Sequence, residues 1–226
     1  MKNPATEFPV KLTSNSKLLF IGDSITDSGR SPSGEVCSWE PNLGLGNGYV
    51  SMIHSWINAA HPESAIRFLN KGTSGNTVRD LASRWQMDVL AEMPQTLCIM
   101  IGINDVWRQF DCPLRPELSV GPEEYRATLH SLVAAAKTCV SNIHLATPYF
   151  IEPNCNDAMR RRMDEYGGIV REIAEDAGAL FIDTQAAFDR VLAHHHPMTL
   201  ASDRVHPNGV GHMIVARAFL ASFGCL

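Results

Sequence analysis

The sequence predicts a three-layer α/β/α domain built on a parallel sheet, and three observations carry that reading. Short apolar runs alternate along the chain with longer segments of helical period, the pattern of repeated strand–helix units. The run at 97–101 is apolar throughout, as a strand covered by helices on both faces must be. The 226 residues are 45% hydrophobic and 19% charged, which fits one globular α/β domain with a sizeable core.

The elements follow in chain order. Residues 17–21 read as the first strand, 48–60 as a helix and 66–70 as the second strand. Val78, Leu81, Ala82, Trp85 and Val89 then recur at steps of three and four, one face of a helix. The third strand is 97–101. Pro122 suits the first turn of the next helix, where Tyr125, Leu129, Leu132, Val133, Ala136 and Val140 keep helical spacing. Residues 143–147 form the fourth strand. Asn156 is the expected cap of a helix lined by Met159, Met163, Tyr166, Val170, Ile173, Ala174 and Ala177, with Gly178 at its C-terminal end. The fifth strand is 180–183, followed by a short helix at 185–192 and a last one at 209–223. Two long polar insertions, 26–47 and 108–121, interrupt the pattern, and loops of that length in a compact domain usually have a function. The domain is expected to span 1–226, with 1–16 an irregular N-terminal extension.

Composition narrows the partners. The formal net charge of −5 comes with scattered Lys and Arg, so neither nucleic acid nor an anionic membrane is expected. The first apolar run is too short for a signal-peptide core or a membrane span. Cysteines at 37, 98, 112, 139, 155 and 225 contain no C-x-x-C pair and do not read as a disulfide framework; Cys98 and Cys139 sit in apolar stretches. A soluble protein of a reducing compartment, the cytoplasm, is the expectation.

Ligands of open α/β sheets bind beyond the carboxyl ends of the strands. There the chain carries Gly22-Asp23-Ser24 after strand one, Asn70-Lys71-Gly72-Thr73-Ser74-Gly75 after strand two, and Gly102-Ile103-Asn104-Asp105 after strand three; Asp203-Arg204-Val205-His206 precedes the last helix. Serine acyl transfer needs a hydroxyl, a base and donors for the oxyanion. Ser24 supplies the first. His206 titrates near neutral pH and is the base, with Asp203 bonded to its far nitrogen. The N–H groups of Ser24 and Gly72 and the amide of Asn104 would form the oxyanion hole, Gly72 allowing close backbone approach. Each piece alone reads as ordinary turn chemistry or a cap; together, in this order and at strand exits, they read as a site. Asp23, Trp107, Tyr149 and Ser202 are the candidate substrate contacts, Trp107 having core packing as its equal alternative. Phe150, Asp27 and Arg30 border the same region.

Other constellations are weaker. Three adjacent histidines, His194 to His196, cannot easily face one metal ion, and His206 with His212 lacks a third ligand, so no metal is expected. Gly44-x-Gly46-x-Gly48 does not match a dinucleotide fingerprint. No G-x-S-x-G elbow is present, which counts against an α/β-hydrolase site.

The four blocks resemble those of the SGNH/GDSL hydrolases, whose initials correspond here to Ser24, Gly72, Asn104 and His206. The likeness runs from about residue 18 to 219 and is closest to bacterial intracellular acetylxylan esterases, notably at 70–80, 99–110, 147–154 and 183–188. It implies an SGNH fold with flavodoxin-like strand order 2-1-3-4-5, a short-chain acetyl esterase acting on xylo-oligosaccharides or similar O-acetylated sugars, no cofactor, and a homo-oligomer. One departure stands out: the residue before the catalytic Asp is commonly Trp in that subgroup and is Ser202 here. A general short-chain esterase, a lysophospholipase or a thioesterase is the rival enzyme reading. A sugar-binding module without turnover is the rival of another class, and an intact set of reactive side chains argues against it.

Overall fold

The computed structural model describes residues 12–226. Five strands, β1 (Lys17–Gly22), β2 (Arg67–Gly72), β3 (Thr96–Met100), β4 (Asn142–Ala146) and β5 (Leu180–Ile182), form one sheet of order β2-β1-β3-β4-β5, every pairing parallel. Among the described residues the α-helices are α1 (Ser24–Asp27), α2 (Tyr49–Ala60), α3 (Val78–Trp85), α4 (Ile103–Asp111), α5 (Pro122–Ala136), α6 (Ala158–Ala177), α7 (Thr184–Leu192) and α8 (Gly209–Phe223). The α2 crossover moves from β1 to β2, while the later crossovers move the opposite way across the sheet. Right-handed connections therefore place α2 on one face and α3, α5 and α6 on the other. The packing agrees: α2 lies on α8 and α8 on α7, whereas α5 contacts both α3 and α6.

The strands read from sequence lie within one or two residues of those observed, because each is an apolar run closed by polar residues. Phe20 of β1 meets Tyr49 of α2 edge-on at 5.8 Å, and Tyr49 stacks on Phe219 of α8 at 5.3 Å. All three rings are fully buried. Burial of one such ring contributes about 1.5–3 kcal/mol.

Four local expectations need correction. Ala82 is exposed, and after Trp85 the chain makes a π-helical turn over Gln86–Leu90 that returns Val89 to the core. The cap of α6 is Asp157, not Asn156: the Asp157 carboxylate accepts from the amides of Met159 and Arg160, and its charge suits a helix N-terminus better than an amide does. Gly178 ends α6 in the left-handed conformation, φ 63°. Cys139 is exposed beyond the end of α5, whereas Cys98 is buried in β3; all six cysteines are free thiols. The expected turn after β3 is helix α4, which takes up the first part of the insertion at 108–121.

The insertion at 26–47 folds back onto the edge strand β2. Glu35 bridges Leu69 in antiparallel fashion, Asn70 N–H donates to Gly34 O at 2.7 Å, and Arg67 pairs with Glu35. The exposed edge of the sheet is thereby covered. Of the expected extension at 1–16, residues 1–11 lie outside the described residues; Leu12 is buried, and Asn15 N–H donates to Ser64 O at 2.9 Å. Among the described residues no helix is long and apolar enough to cross a membrane.

Candidate active site

The strand order makes β1 and β3 neighbours although the chain reaches them by crossovers in opposite directions. The crevice between their carboxyl ends is where such sheets bind ligands. Ser24 begins α1 directly after β1, and Asn104 lies in the first turn of α4 after β3. As the first residue of a helix, Ser24 has an N–H that its own helix cannot satisfy.

The hydroxyl oxygen of Ser24 lies 2.9 Å from His206 Nε2, and His206 Nδ1 lies 2.7 Å from Asp203 Oδ2. A carboxylate can only accept, so Nδ1 carries the ring proton and Nε2 accepts from the serine hydroxyl. Asp203 Oδ1 also accepts from the amides of Val205 (2.9 Å) and His206 (2.8 Å). Partial burial pushes the Asp203 carboxyl up, but the His206 ring and these two amides outweigh it and hold its pKa below the usual range. The pair stands open to solvent, His206 at 46% and Asp203 at 38% side-chain exposure, and Ser24 is half-buried.

Two polar side chains to which the motif reading gave no role, Asn70 and Arg108, fix this arrangement. Asn70, fully buried in β2, donates to Thr26 O (2.7 Å) and Leu45 O (2.9 Å) and so ties down the far end of α1. Its Oδ1 accepts from Gly72 N–H at 2.9 Å, so that proposed oxyanion donor already has a partner. An asparagine inside an apolar strand was the available signal. Asn104 Nδ2 donates to Asn76 O at 2.9 Å, which leaves its second hydrogen for a ligand, and Arg108 donates to Asn104 Oδ1 at 3.3 Å from one turn along α4.

Gly72 approaches the helix of Ser24 and not empty space: a Cβ there would lie 2.2 Å from Asp27 N and 2.6 Å from Thr26 C. The glycine is needed for the close packing of β2 against α1. Around it, Arg30 donates to Gly72 O at 2.6 Å, and Asp27 accepts from Ser74 N–H and its hydroxyl.

The candidate substrate contacts divide. Trp107 is half-buried with its ring centroid 5.8 Å from that of His206, and the Arg108 guanidinium lies 4.8 Å from its face. Ser202 is exposed beside Asp203. Tyr149 does not face the site: it is fully buried, its ring against Phe188 at 4.3 Å, because the chain after β4 turns inward under α7. Asp23 is also buried. It caps α1 by accepting from Ile25 N–H at 3.0 Å, and burial pushes its pKa up to about 7 against that bond and the attraction of His206. It therefore supports Ser24 from below and is not at the surface. Asp105 is a second buried carboxyl with a pKa pushed up to about 7 by burial; its Oδ1 accepts from Val78 N–H at the start of α3.

His194, His195 and His196 are exposed, and His212 is buried with a pKa lowered to about 4, chiefly by burial. Among the described residues no group of three His, Cys, Asp or Glu is placed to hold a metal ion.

With this geometry the chain matches the GDSL-like lipase/acylhydrolase family over residues 20–214. It is 54% identical to an acetylxylan esterase of Geobacillus stearothermophilus over 216 residues, 95% of this chain and 97% of that protein. The crystal structure of that esterase superposes with a TM-score of 0.91 at 55% identity, covering 95% of this chain and 96% of the other. Crystal structures of its catalytic mutants replace one serine, one histidine and one aspartate with alanine, and a further variant replaces the tryptophan directly before that aspartate. An α/β hydrolase enzyme from the metagenome of Lake Arreo, Spain, is similar at 52% identity and a TM-score of 0.92, covering 96% of this chain and 98% of that one.

Proposed function

The chain belongs to the GDSL-like lipase/acylhydrolase family, and from that premise we propose a serine esterase that removes acetyl groups from xylo-oligosaccharides or similar O-acetylated sugars. The observation that carries the reading is the relay Ser24–His206–Asp203, with its 2.9 Å and 2.7 Å contacts at the switch point of the sheet. The relative's catalytic serine, histidine and aspartate are the same residue types.

In this reading Ser24 Oγ attacks the ester carbonyl while His206 Nε2 takes its proton, and Asp203 stabilises the imidazolium that forms. The carbonyl oxygen gains negative charge and meets Ser24 N–H, the second hydrogen of Asn104 Nδ2, and Gly72 N–H shared with Asn70. Collapse breaks the bond to the sugar oxygen, which leaves with the proton held by His206. The acetyl group remains on Ser24. His206 then draws a proton from water, the water oxygen attacks the acyl carbon, and acetate departs as Ser24 regains its proton. Trp107 forms a wall beside the imidazole. Ser202, where the Geobacillus enzyme has tryptophan before its aspartate, leaves this side of the site more open.

The test is a substrate panel. Acetyl esters are expected to outpace butyryl esters and octanoyl esters to be hydrolysed hardly at all. An acetylated xylo-oligosaccharide should exceed a simple alkyl acetate in kcat/KM, because remote binding energy fixes the carbonyl near Ser24. Preference for octanoyl or lysophospholipid substrates would replace this substrate reading and leave the relay in place. We further propose one domain spanning 1–226, a cytoplasmic setting consistent with six free thiols, and a homo-oligomer. Sedimentation would read the last as a multiple of the chain's mass.

A further inference from the structure

The turn that carries Asp203 and His206 is tightly wound. The Asp203 carboxylate curls under two successive amides, those of Val205 and His206, and still reaches the His206 ring. To allow this, the residue between Asp203 and Val205 takes a left-handed conformation, φ 63°. Glycine or asparagine adopts that conformation readily, yet the residue present is Arg204. Strain of this kind persists where the surroundings over-determine it.

The surroundings here are the chain after β4. The Arg204 guanidinium pairs with Glu152 and lies 5.7 Å from the face of Phe150, and the Arg204 carbonyl accepts from Ile151 N–H at 2.9 Å. Glu152 is a firm anchor, with its side chain only 12% exposed. Its backbone carbonyl accepts from Arg160 at 2.6 Å, and Arg160, itself 4% exposed, grips Asp189 of α7 through two bonds of 2.9 and 2.8 Å. Phe150 is held from the same side, its N–H donating to Gln185 Oε1 at 2.8 Å. Thus α6 and α7 fix the 150–152 segment, and that segment meets the relay turn through Arg204.

We infer that Arg204 is a positioning residue: clamped to Glu152, it holds the Asp203–His206 turn so that His206 Nε2 stays in line with Ser24. The inference rests on the reading of Asp203 and His206 as the relay. The Arg204 guanidinium bonds to Glu152 and not to Ser24 or the His206 ring, so it acts through the turn it closes.

Arg204→Asn separates the guanidinium from the backbone, since asparagine tolerates the left-handed conformation. Glu152→Ala removes the same clamp from the other side and serves if the first variant folds poorly. Each is compared with the full-length wild type in kcat and KM for p-nitrophenyl acetate, in Tm, and in the low-field proton resonance of His206 Nδ1–H. Loss of the clamp should lower kcat by about tenfold to hundredfold, the cost of a small misplacement of a reacting group, with KM little changed. The resonance should broaden or vanish in both variants, and the double variant should be no worse than either alone. Arg126→Ala, which breaks the exposed Arg126–Glu172 pair, should change none of these readouts. Unchanged kcat and resonance in both clamp variants would overturn the inference, as would a fall in kcat with the resonance intact, which marks a merely structural role. Full activity in His206→Ala would instead overturn the relay reading beneath it.

Discussion

Gly72→Ala tests how the sheet and Ser24, the proposed nucleophile, are joined. The added Cβ would stand 2.2 Å from Asp27 N, 2.6 Å from Thr26 C and 2.8 Å from Asp27 Cα, where ordinary contacts begin at 3.4 Å. The nearest of these is more than about 1 Å inside ordinary contact, and all three are backbone atoms of α1, so no side chain can swing away. Relief requires moving α1, whose first residue is Ser24, away from β2. Overpacking of this kind costs roughly 1–3 kcal/mol, which for a chain of this size lowers Tm by roughly 2–12 °C. A displacement of about 1 Å between nucleophile and base lowers kcat on the order of 10²-fold. The expected variant is therefore folded, less stable and nearly inactive, read by calorimetry and by turnover of p-nitrophenyl acetate in the same preparation. Gly168→Ala is the contrast. It sits within α6 with nothing within 4 Å of its Cβ, so the same change should raise stability by up to about 1 kcal/mol. Wild-type kcat and Tm in Gly72→Ala would refute the packing argument.

Three further outcomes are expected. A serine-directed phosphonate should add once, at Ser24, and Ser24→Ala should remove nearly all turnover while the circular dichroism stays native; peptide mapping of the label to Ser74 or Ser202 would overturn the assignment. Asn104→Ala should lower kcat by about 10²–10³ with KM little changed, since the bond it offers strengthens in the transition state; a large rise in KM at constant kcat would make Asn104 a ground-state binder. Asp105 keeps its proton in the fold up to about pH 7, whereas the unfolded chain releases it near 3.8, so its contribution to stability is present at low pH and lost as pH rises through that window. Asp105→Asn keeps an oxygen for Val78 N–H and should gain urea midpoint over wild type as pH rises from about 4 to about 8; a pH-independent difference would contradict the raised pKa.

Much of the architecture was legible because its causes are local. An apolar run such as 97–101 must be a covered strand, and the alternation of such runs with helical periods dictates a parallel sheet. The helix over Gly209–Phe223 was legible to the residue, with Asn208 capping it through the amides of Val210 and Gly211. Helix α4 was not. Its Gly-Ile-Asn-Asp start carries the polar residues of a turn, and only the packing of Val106 and the contacts of Asn104 and Arg108 show why they lie on a helix. Tyr149 was misplaced for the opposite reason: an aromatic residue after a strand can face the crevice or the core, and sequence does not say which.

The sequence by itself determined the fold class, the place of Ser24 at a strand exit and the three-residue spacing that lets one turn present both Asp203 and His206, since each depends on neighbours along the chain. Tertiary structure decided what holds them there. Asn70 bonded to Thr26 of α1, Gly72 packed against Asp27 of the same helix, and Arg204 clamped to Glu152 join residues that are 44–52 positions apart. Such contacts exist only once the strands have taken their register, because register alone brings the ends of β1, β2, β3 and β4 to a common edge.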